Sequence, residues 1–170
     1  MEDHRHWDAV EEAVELLRER DYSLAESALD DALKADSDNP YAWFYLGVVH
    51  FEQGQHDKSA IAYGEALKRS PNYLGAAVGL GHCMRLLGRH DDALRAGQLA
   101  LDIARNNGTT EDGDAHWLIA LTFAAKKDAT RAIRHAELFL ASRPELEAQA
   151  DAEAMIQSLR EKARHLHSVS

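Results

Sequence analysis

Apolar residues recur every three or four positions along most of the chain, and short polar stretches separate these runs. This spacing is typical of amphipathic α-helices. The separating stretches, such as DSDNP and RSPNY, combine Pro, Asn, Asp and Ser, which favour helix ends and caps. The pattern predicts four helix pairs and a further helix after Pro144: residues 7–19 and 22–35, 41–53 and 57–69, 74–87 and 91–105, 112–125 and 129–141, and 145–166.

The helix predicted at 41–53 is apolar on two sides. Its first eleven residues, YAWFYLGVVHF, include five aromatic residues. At about 100° per residue, one side carries Trp43, Leu46, Gly47 and His50, and the opposite side carries Tyr41, Phe44, Val48 and Phe51. Such a helix either lies between other elements or keeps one side for a partner.

Two segments of the chain repeat each other with an offset of 34 residues. AWFYLGVVHFEQGQHDKSAIAYGEAL, residues 42–67, aligns with AAVGLGHCMRLLGRHDDALRAGQLAL, residues 76–101. The alignment places small residues over small residues: Gly47 over Gly81, Gly54 over Gly88, and Ala66 over Ala100. Because small residues let helix backbones approach closely, the period indicates stacked helix–turn–helix units.

The repeating segments resemble the tetratricopeptide repeat (TPR), a helix–turn–helix unit of about this length. The best match, residues 40–73, has family residues at Trp43, Leu46, Gly47, Gly54, Tyr63, Ala66, Leu67 and Pro71, with Ser59 where alanine is usual. The resemblance implies an all-α, right-handed α-solenoid of about four repeats. These are residues 6–39, 40–73, 74–107 and 113–146, with GTTED at 108–112 as an insertion.

The sequence departs from the family pattern at three further positions. Ser37 and Arg105 replace the expected proline of the first and third repeats. Phe139 stands where the family usually has a small residue, which predicts wider helix packing in the fourth repeat.

Residues 147–170 are expected to form a C-terminal capping helix and a short tail. One side carries an apolar stripe of Ala152, Ile156, Leu159, Ala163 and Leu166. The other side is charged, as expected of a helix that covers the open end of a solenoid. A contact with a partner or a second copy through the same stripe is the alternative.

In TPR arrays, the first helices of successive repeats line a concave surface that commonly receives a peptide or a partner helix. The resemblance assigns this peptide-binding groove to Tyr41, Phe44, Tyr45, Val48, Phe51, His82, Arg85, Trp117, Leu118 and Leu121. An apolar groove of this kind suits an amphipathic helix or an extended apolar segment. His82 and Arg85 would hold one polar or acidic group of the ligand.

Two further observations bear on the groove. TPR adaptors that bind chaperone tails grip a terminal carboxylate with Lys, Asn and Arg, whereas the matching positions in the first repeat are Val10 and Val14. That clamp is therefore absent. The aromatic residues would instead belong to the core if a tight superhelix or the terminal helix covered them.

Composition narrows the class of partner. The formal net charge is −10, with 29 acidic and 19 basic residues, so a nucleic acid is a poor partner. The single cysteine, Cys83, cannot form an internal disulfide, and no run approaches the roughly 20 apolar residues of a membrane span. The amino terminus lacks the apolar core of a signal peptide, so a cytoplasmic location is expected.

The ten histidines form no recognisable metal or catalytic pattern. His56 and His90 occupy equivalent positions in two repeats, which indicates a structural role. We therefore expect a non-catalytic adaptor or scaffold without a cofactor, whose partner is a protein or peptide. A small cytoplasmic chaperone for a secreted or aggregation-prone client is the alternative, an enzyme is a remote one, and a homo-oligomer is possible.

Overall fold

The computed structural model describes residues 2–109 and 112–168, and every regular element within these ranges is a helix. The helices are α1 (Glu2–Asp8), α2 (Glu11–Arg18), α3 (Tyr22–Ala35), α4 (Pro40–Glu52), α5 (His56–Arg69), α6 (Leu74–Leu86), α7 (His90–Asn106), α8 (Gly113–Ala125), α9 (Ala129–Ala141) and α10 (Leu146–Ser168). They form two compact units, Met1–Gly88 and Arg89–Ser170, called the amino-terminal and carboxy-terminal units. Thr110 and Glu111 of the predicted insertion lie outside the described residues.

All predicted helices except the first are confirmed to within two residues at each end. The single helix predicted at 7–19 is wrong, because the chain turns at Ala9 and Val10 and separates α1 from α2. Val10 has φ −116° and ψ −4°, and its amide donates to the Trp7 carbonyl over 2.9 Å. This tighter hydrogen bond interrupts the regular helical pattern, while the Val10 side chain is fully buried.

The buried side chain of Asn39 connects α1 to the start of α4. Its Oδ1 accepts hydrogen bonds from the amides of Tyr41 and Ala42, at 3.0 and 3.1 Å, and so caps α4. Its Nδ2 donates to the His6 carbonyl over 2.8 Å. The His6 ring lies 3.0 Å from a carboxylate oxygen of Asp36. Polar contacts thus place α1 beside α4.

In the amino-terminal unit, the ring of Tyr63 on α5 lies between glycines of α4 and α6. A Cβ atom added at Gly47 would lie 2.7 Å from the ring, and one added at Gly79 would lie 2.5 Å from it. Both distances are too short for real atoms, so a side chain at either position would push the helices apart. Tyr63 is only 5% exposed.

Ser59 links the same three helices through hydrogen bonds. Its hydroxyl donates to the Gly47 carbonyl on α4 over 2.7 Å, and the Cys83 thiol on α6 donates to the Ser59 oxygen over 3.1 Å. Both Ser59 and Cys83 are fully buried. The serine that departs from the family alanine therefore has two partners that satisfy it.

In the carboxy-terminal unit, the contact between α7 and α8 corresponds to the contact between α5 and α6. Here the small residue lies on the first of the two helices, α7, and the large residues lie on α8. Gly97 on α7 lies 34 positions after Tyr63. A Cβ atom at Gly97 would lie 2.6 Å from Cγ1 of Ile119 and 3.6 Å from Cδ2 of Leu118, both on α8. The large side chains of α8 therefore occupy the space that a large residue of α7 would need.

Helix α10 packs against α9. Four members of the predicted stripe are buried or half-buried: Ala152, Ile156, Leu159 and Ala163. The side chain of Leu166 lies outside the described residues. Arg160 on the polar side of α10 forms an ion pair with Glu137 of α9 at 2.7 Å.

The turn between the two helices of each repeat contains one residue in the left-handed conformation. The residues and their φ angles are Arg20 (61°), Gly54 (72°), Gly88 (73°) and Lys127 (61°). Glycine adopts this conformation freely, whereas a residue with a Cβ atom is strained there. The first and fourth repeats therefore hold a strained basic residue at a turn where the second and third hold glycine.

Within the part of the chain that the structure describes, no helix combines the length and apolar character needed to cross a membrane.

The contact between Gly47 and Tyr63 predicts an asymmetric response to two glycine substitutions. Gly47→Ala is expected to lower the free energy of unfolding by about 1–3 kcal/mol, because its Cβ would overlap the Tyr63 ring. Gly64→Ala, on α5 with no neighbouring atom within 4 Å, should instead stabilise by about 0.5–1 kcal/mol. Urea denaturation followed by circular dichroism measures both. Equal midpoints for the two variants would contradict the packing.

The strained turn predicts a stabilising change. Lys127→Gly should raise the free energy of unfolding by up to about 1 kcal/mol, because glycine relieves the left-handed strain. Glycine also loses more conformational entropy on folding, but this cost offsets only part of the relieved strain. The reciprocal change Gly54→Ala should destabilise by about 1 kcal/mol or more. Thermal melts of the two variants check the pair, and a lower melting temperature for Lys127→Gly would refute the strain.

Candidate functional site

The amino-terminal unit contains a cleft of about 320 Å³ between α2, the start of α3 and α4, called the α2–α4 cleft. Its lining residues are Val14, Leu17, Arg18, Arg20, Tyr22, Tyr45, Val48 and Glu52. The apolar side chains belong to two consecutive repeats, and the charged ones come from the ends of α2 and α4 and the turn after α2. The cleft therefore combines an apolar surface with charged groups.

Helix periodicity explains why these side chains meet. Val14 and Leu17 are three residues apart on α2, and Tyr45 and Val48 are three residues apart on α4, so each pair shares a helix face. Because these helices lie side by side, the two pairs meet across the cleft. Tyr22 follows the turn directly, at the first position of α3.

Tyr45 supplies a polar group to the apolar cleft. Its side chain is half-buried, and burial raises the pKa of its phenol above the ordinary value, with the positive charge of Arg18 opposing the shift. The hydroxyl therefore stays protonated at neutral pH. A protonated phenol can donate a hydrogen bond to an acceptor in the cleft.

The two arginines of the cleft differ in their partners. Arg18 is exposed and forms an ion pair with Glu15, one helical turn earlier on α2. Exposed pairs of this kind contribute little stability and rearrange readily. Arg20 lies in the strained turn, and none of the carboxylates described for this chain forms an ion pair with it. Both guanidinium groups are therefore accessible to a partner.

The adjoining part of α4 is covered by α1. The Trp7 ring meets Tyr41 and Tyr45 edge-on, with centroid distances of 6.0 and 6.1 Å. Trp7 itself is 39% exposed. Tyr41 also meets Tyr73, which precedes α6, at 5.8 Å. Tyr41 is thus enclosed by the protein's own aromatic residues, whereas Trp7 does not line the α2–α4 cleft.

Two other predicted groove residues of α4 pack inside the amino-terminal unit. Phe44 stacks on Tyr73 at 4.7 Å, and Phe51 lies 5.4 Å from the His56 ring at the start of α5. Both are half-buried against the core shared by α5 and α6. The core interpretation therefore fits Phe44 and Phe51, which do not line the cleft. Val48 packs against the same core and also lines the cleft together with Tyr45.

His82 and Arg85 are half-buried on α6. Burial lowers the pKa of His82 to about 4, and the charge of Arg85 adds to the shift. Burial also lowers the pKa of Arg85, whose Nε has no hydrogen-bond partner among the described residues. His82 is therefore neutral at pH 7.

The groove residues predicted on α8 lie in the carboxy-terminal unit and have three different environments. Leu118 is fully buried beside Gly97, so it belongs to the core, and its assignment to a binding surface is corrected. Trp117 is half-buried and stacks on Phe139 of α9 at 5.1 Å. Leu121 is half-buried as well.

A pair of histidines forms a polar contact between α8 and α9. The Nδ1 atoms of His116 and His135 lie 3.1 Å apart, so one ring donates a hydrogen bond to the other. Burial lowers the pKa of both rings. Within residues 2–109 and 112–168, no three His, Cys, Asp or Glu side chains converge as a metal site would require.

Neither the charged residues of the cleft nor the role of Trp7 was predicted from the sequence. A signal for Arg20 was present, because it lies 34 residues before Gly54, at a turn where glycine indicates a left-handed residue. No periodic signal marks Trp7, since its contacts depend on the break between α1 and α2.

Comparison with known proteins identifies the fold family. The family model described as tetratricopeptide repeat matches residues 10–73 and 59–108. The chain belongs to the TPR family. No curated protein matches the sequence significantly.

Solved structures agree with this family. A pilF structure from Pseudomonas aeruginosa aligns with a TM-score of 0.82 at 17% identity, covering 97% of this chain and 72% of that chain. A TPR protein from Parabacteroides merdae aligns with a TM-score of 0.69 at 17% identity, covering 92% and 60%. The MamA protein aligns with a TM-score of 0.69 at 16% identity, covering 95% and 88%.

At these identities the likeness concerns the fold alone. The predicted all-α TPR solenoid class is confirmed by the family match and by these structures. A TPR fold is that of a protein–protein interaction scaffold. The repeat boundaries derived from the sequence stay a prediction.

The lowered pKa of His82 predicts a loss of stability in mild acid. His82 is protonated near pH 4 in the folded chain, because its pKa is lowered, and near pH 6.5 in the unfolded chain. The free energy of unfolding therefore has its full value above about pH 6.5 and decreases as the pH falls toward 4. Between pH 7 and pH 5 the loss should be about 1–2 kcal/mol. Urea melts of His82→Gln should show a flatter pH dependence than those of the parent protein, and an unchanged pH dependence would contradict the prediction.

Proposed function

We propose that this protein is a non-catalytic adaptor that binds an amphipathic helix or an extended apolar segment of a partner protein in the α2–α4 cleft. The observation that carries the proposal is the cleft itself, where apolar side chains of two consecutive repeats meet beside accessible charged groups. Helix-in-groove recognition uses apolar anchors of this kind.

The dimensions and chemistry of the α2–α4 cleft support this proposal. A volume of about 320 Å³ accommodates a few apolar side chains of a partner. Leu17, Tyr45 and Val48 supply apolar contact, and the Tyr45 hydroxyl supplies a hydrogen-bond donor. A tyrosine in such a position is a typical energetic anchor, whose truncation costs ~2 kcal/mol of binding free energy or more.

The proposal moves the centre of the predicted groove toward α2. Phe44 and Phe51 act as supports of α4 rather than as contacts, because they pack against the core of α5 and α6 and do not line the cleft. Trp117 and Leu121 remain proposed contacts of the carboxy-terminal unit. The chaperone alternative, the absence of catalysis and the cytoplasmic location stay predictions.

A binding selection tests the proposal directly. The purified chain is used to select binders from a displayed library of random 16-residue peptides, and the affinities of enriched peptides are measured by fluorescence anisotropy. Leu17→Asp should weaken binding at least tenfold, because it places a charge on the apolar lining. Leu24→Asp is the matched control, since Leu24 is 55% exposed on α3 and does not line the cleft.

Two controls accompany the binding measurement. Circular dichroism confirms the fold of each variant, and Tyr45→Ala serves as a second cleft variant if Leu17→Asp fails to fold. Enriched peptides that bind Leu17→Asp and Tyr45→Ala as tightly as the parent protein would overturn the proposal. Light scattering across a concentration series would show instead whether a second copy fills the cleft, since Leu17→Asp would then convert a dimer into a monomer.

A further inference from the structure

The charges along the edge of the α2–α4 cleft indicate which kind of segment it prefers. Arg18 and Arg20 lie at the end of α2 and in the turn after it, and Glu52 lies at the end of α4. The cleft therefore has two positive groups on the α2 side and one negative group on the α4 side. Such an arrangement discriminates between partners by charge.

We propose that the α2–α4 cleft selects an apolar segment that carries a carboxylate next to its buried side chain, and that Arg18 and Arg20 bind this carboxylate. The inference rests on the proposed function, because it requires that the cleft is a binding site. It adds the chemical class of the segment, an acidic and apolar one, and its orientation, with the acidic group on the α2 side.

The backbone of Arg20 is the first argument. The equivalent turns of the next two repeats use Gly54 and Gly88, which adopt the left-handed conformation without strain. Arg20 holds the same conformation at φ 61° despite its Cβ atom. Strained residues of this kind concentrate at functional sites, and Arg20 differs from the equally strained Lys127 in lining the cleft. Its guanidinium group lines the cleft without a carboxylate partner among the described residues.

Geometry and hydrogen bonding favour a carboxylate as the recognised group. Guanidinium groups bind carboxylates through paired, charge-assisted hydrogen bonds. Arg18 can exchange its exposed pair with Glu15 for a partner's carboxylate at little cost. The protonated Tyr45 hydroxyl adds a further donor beside them. Together these groups provide donors on one side of an otherwise apolar cleft.

The net charge of −10 does not oppose this selection at contact distance. Exposed charges are screened beyond about 8 Å at physiological ionic strength. The repulsion from distant carboxylates is therefore weak, whereas the arginines of the cleft act within hydrogen-bond distance. The same net charge disfavours polyanions, so isolated acidic side chains in an apolar segment fit better than a nucleic acid.

The test uses a charge-matched and strain-matched pair of variants. Arg20→Gly and Lys127→Gly each remove one positive charge and relieve one left-handed residue, but only Arg20 lines the cleft. Both variants should melt at a higher temperature than the parent protein. Arg20→Gly should weaken binding of the selected peptides roughly fivefold, and Lys127→Gly should change it less than about twofold.

The peptides themselves provide a second readout. Those that depend on Leu17 and Tyr45 should be enriched in Asp or Glu, and replacing that residue by Gln or Asn should weaken binding to the parent protein but not to Arg20→Gly. Cleft-dependent peptides without acidic enrichment, or equal binding by Arg20→Gly and Lys127→Gly, would overturn this inference and leave the proposed function intact. A library that yields no cleft-dependent peptide would overturn both.

Discussion

The insertion of the Tyr63 ring between Gly47 and Gly79 determines how the amino-terminal unit is built. One aromatic side chain of α5 contacts the backbones of α4 and α6, so the positions of these helices are fixed relative to one another. Ser59 and Cys83 add hydrogen bonds among the same helices. The side of α4 toward α2 and α3 is also packed, because Ala42 and Val49 are buried in the core shared with these helices. The α2–α4 cleft therefore uses only the part of α4 that carries Tyr45, Val48 and Glu52.

The two units apply the same repeat with different side-chain sizes. Tyr63 on α5 and Gly97 on α7 occupy equivalent positions, each on the second helix of its repeat. The residue is large in the amino-terminal unit and small in the carboxy-terminal unit. The following helix compensates, with Gly79 in one unit and the large side chains of Leu118 and Ile119 in the other, where Ile119 makes the closer contact with Gly97. Close packing is thus maintained by the combined volume of the side chains that face each other, and not by the same residue at each position. This exchange explains why a groove position transferred from one repeat to another became a core position at Leu118.

The sequence was sufficient for the helices, the period and the family, because these depend on local pattern and on glycine and proline signals. It was insufficient for the site at the level of residues. Helical spacing shows that Phe44 and Tyr45 differ in direction, but only the position of Tyr73 shows that Phe44 is enclosed. The break at Val10 has no proline or glycine to mark it, and α1 before the break is held by a hydrogen bond from Asn39 to His6, 33 residues apart. Tertiary contacts decided these features.

The contact of Trp7 with Tyr41 and Tyr45 divides the surface of α4 into regions of unequal accessibility. A partner that uses only the α2–α4 cleft meets a preformed surface and binds with its intrinsic affinity. A partner that also requires Tyr41 binds only the fraction of molecules in which α1 has detached, and its apparent affinity falls in proportion to that fraction. If one molecule in a hundred were open, an otherwise identical contact would bind about a hundredfold more weakly. A short amino-terminal helix can thus set a threshold between two classes of partner, while its Trp7 ring contacts one cleft residue, Tyr45, edge-on.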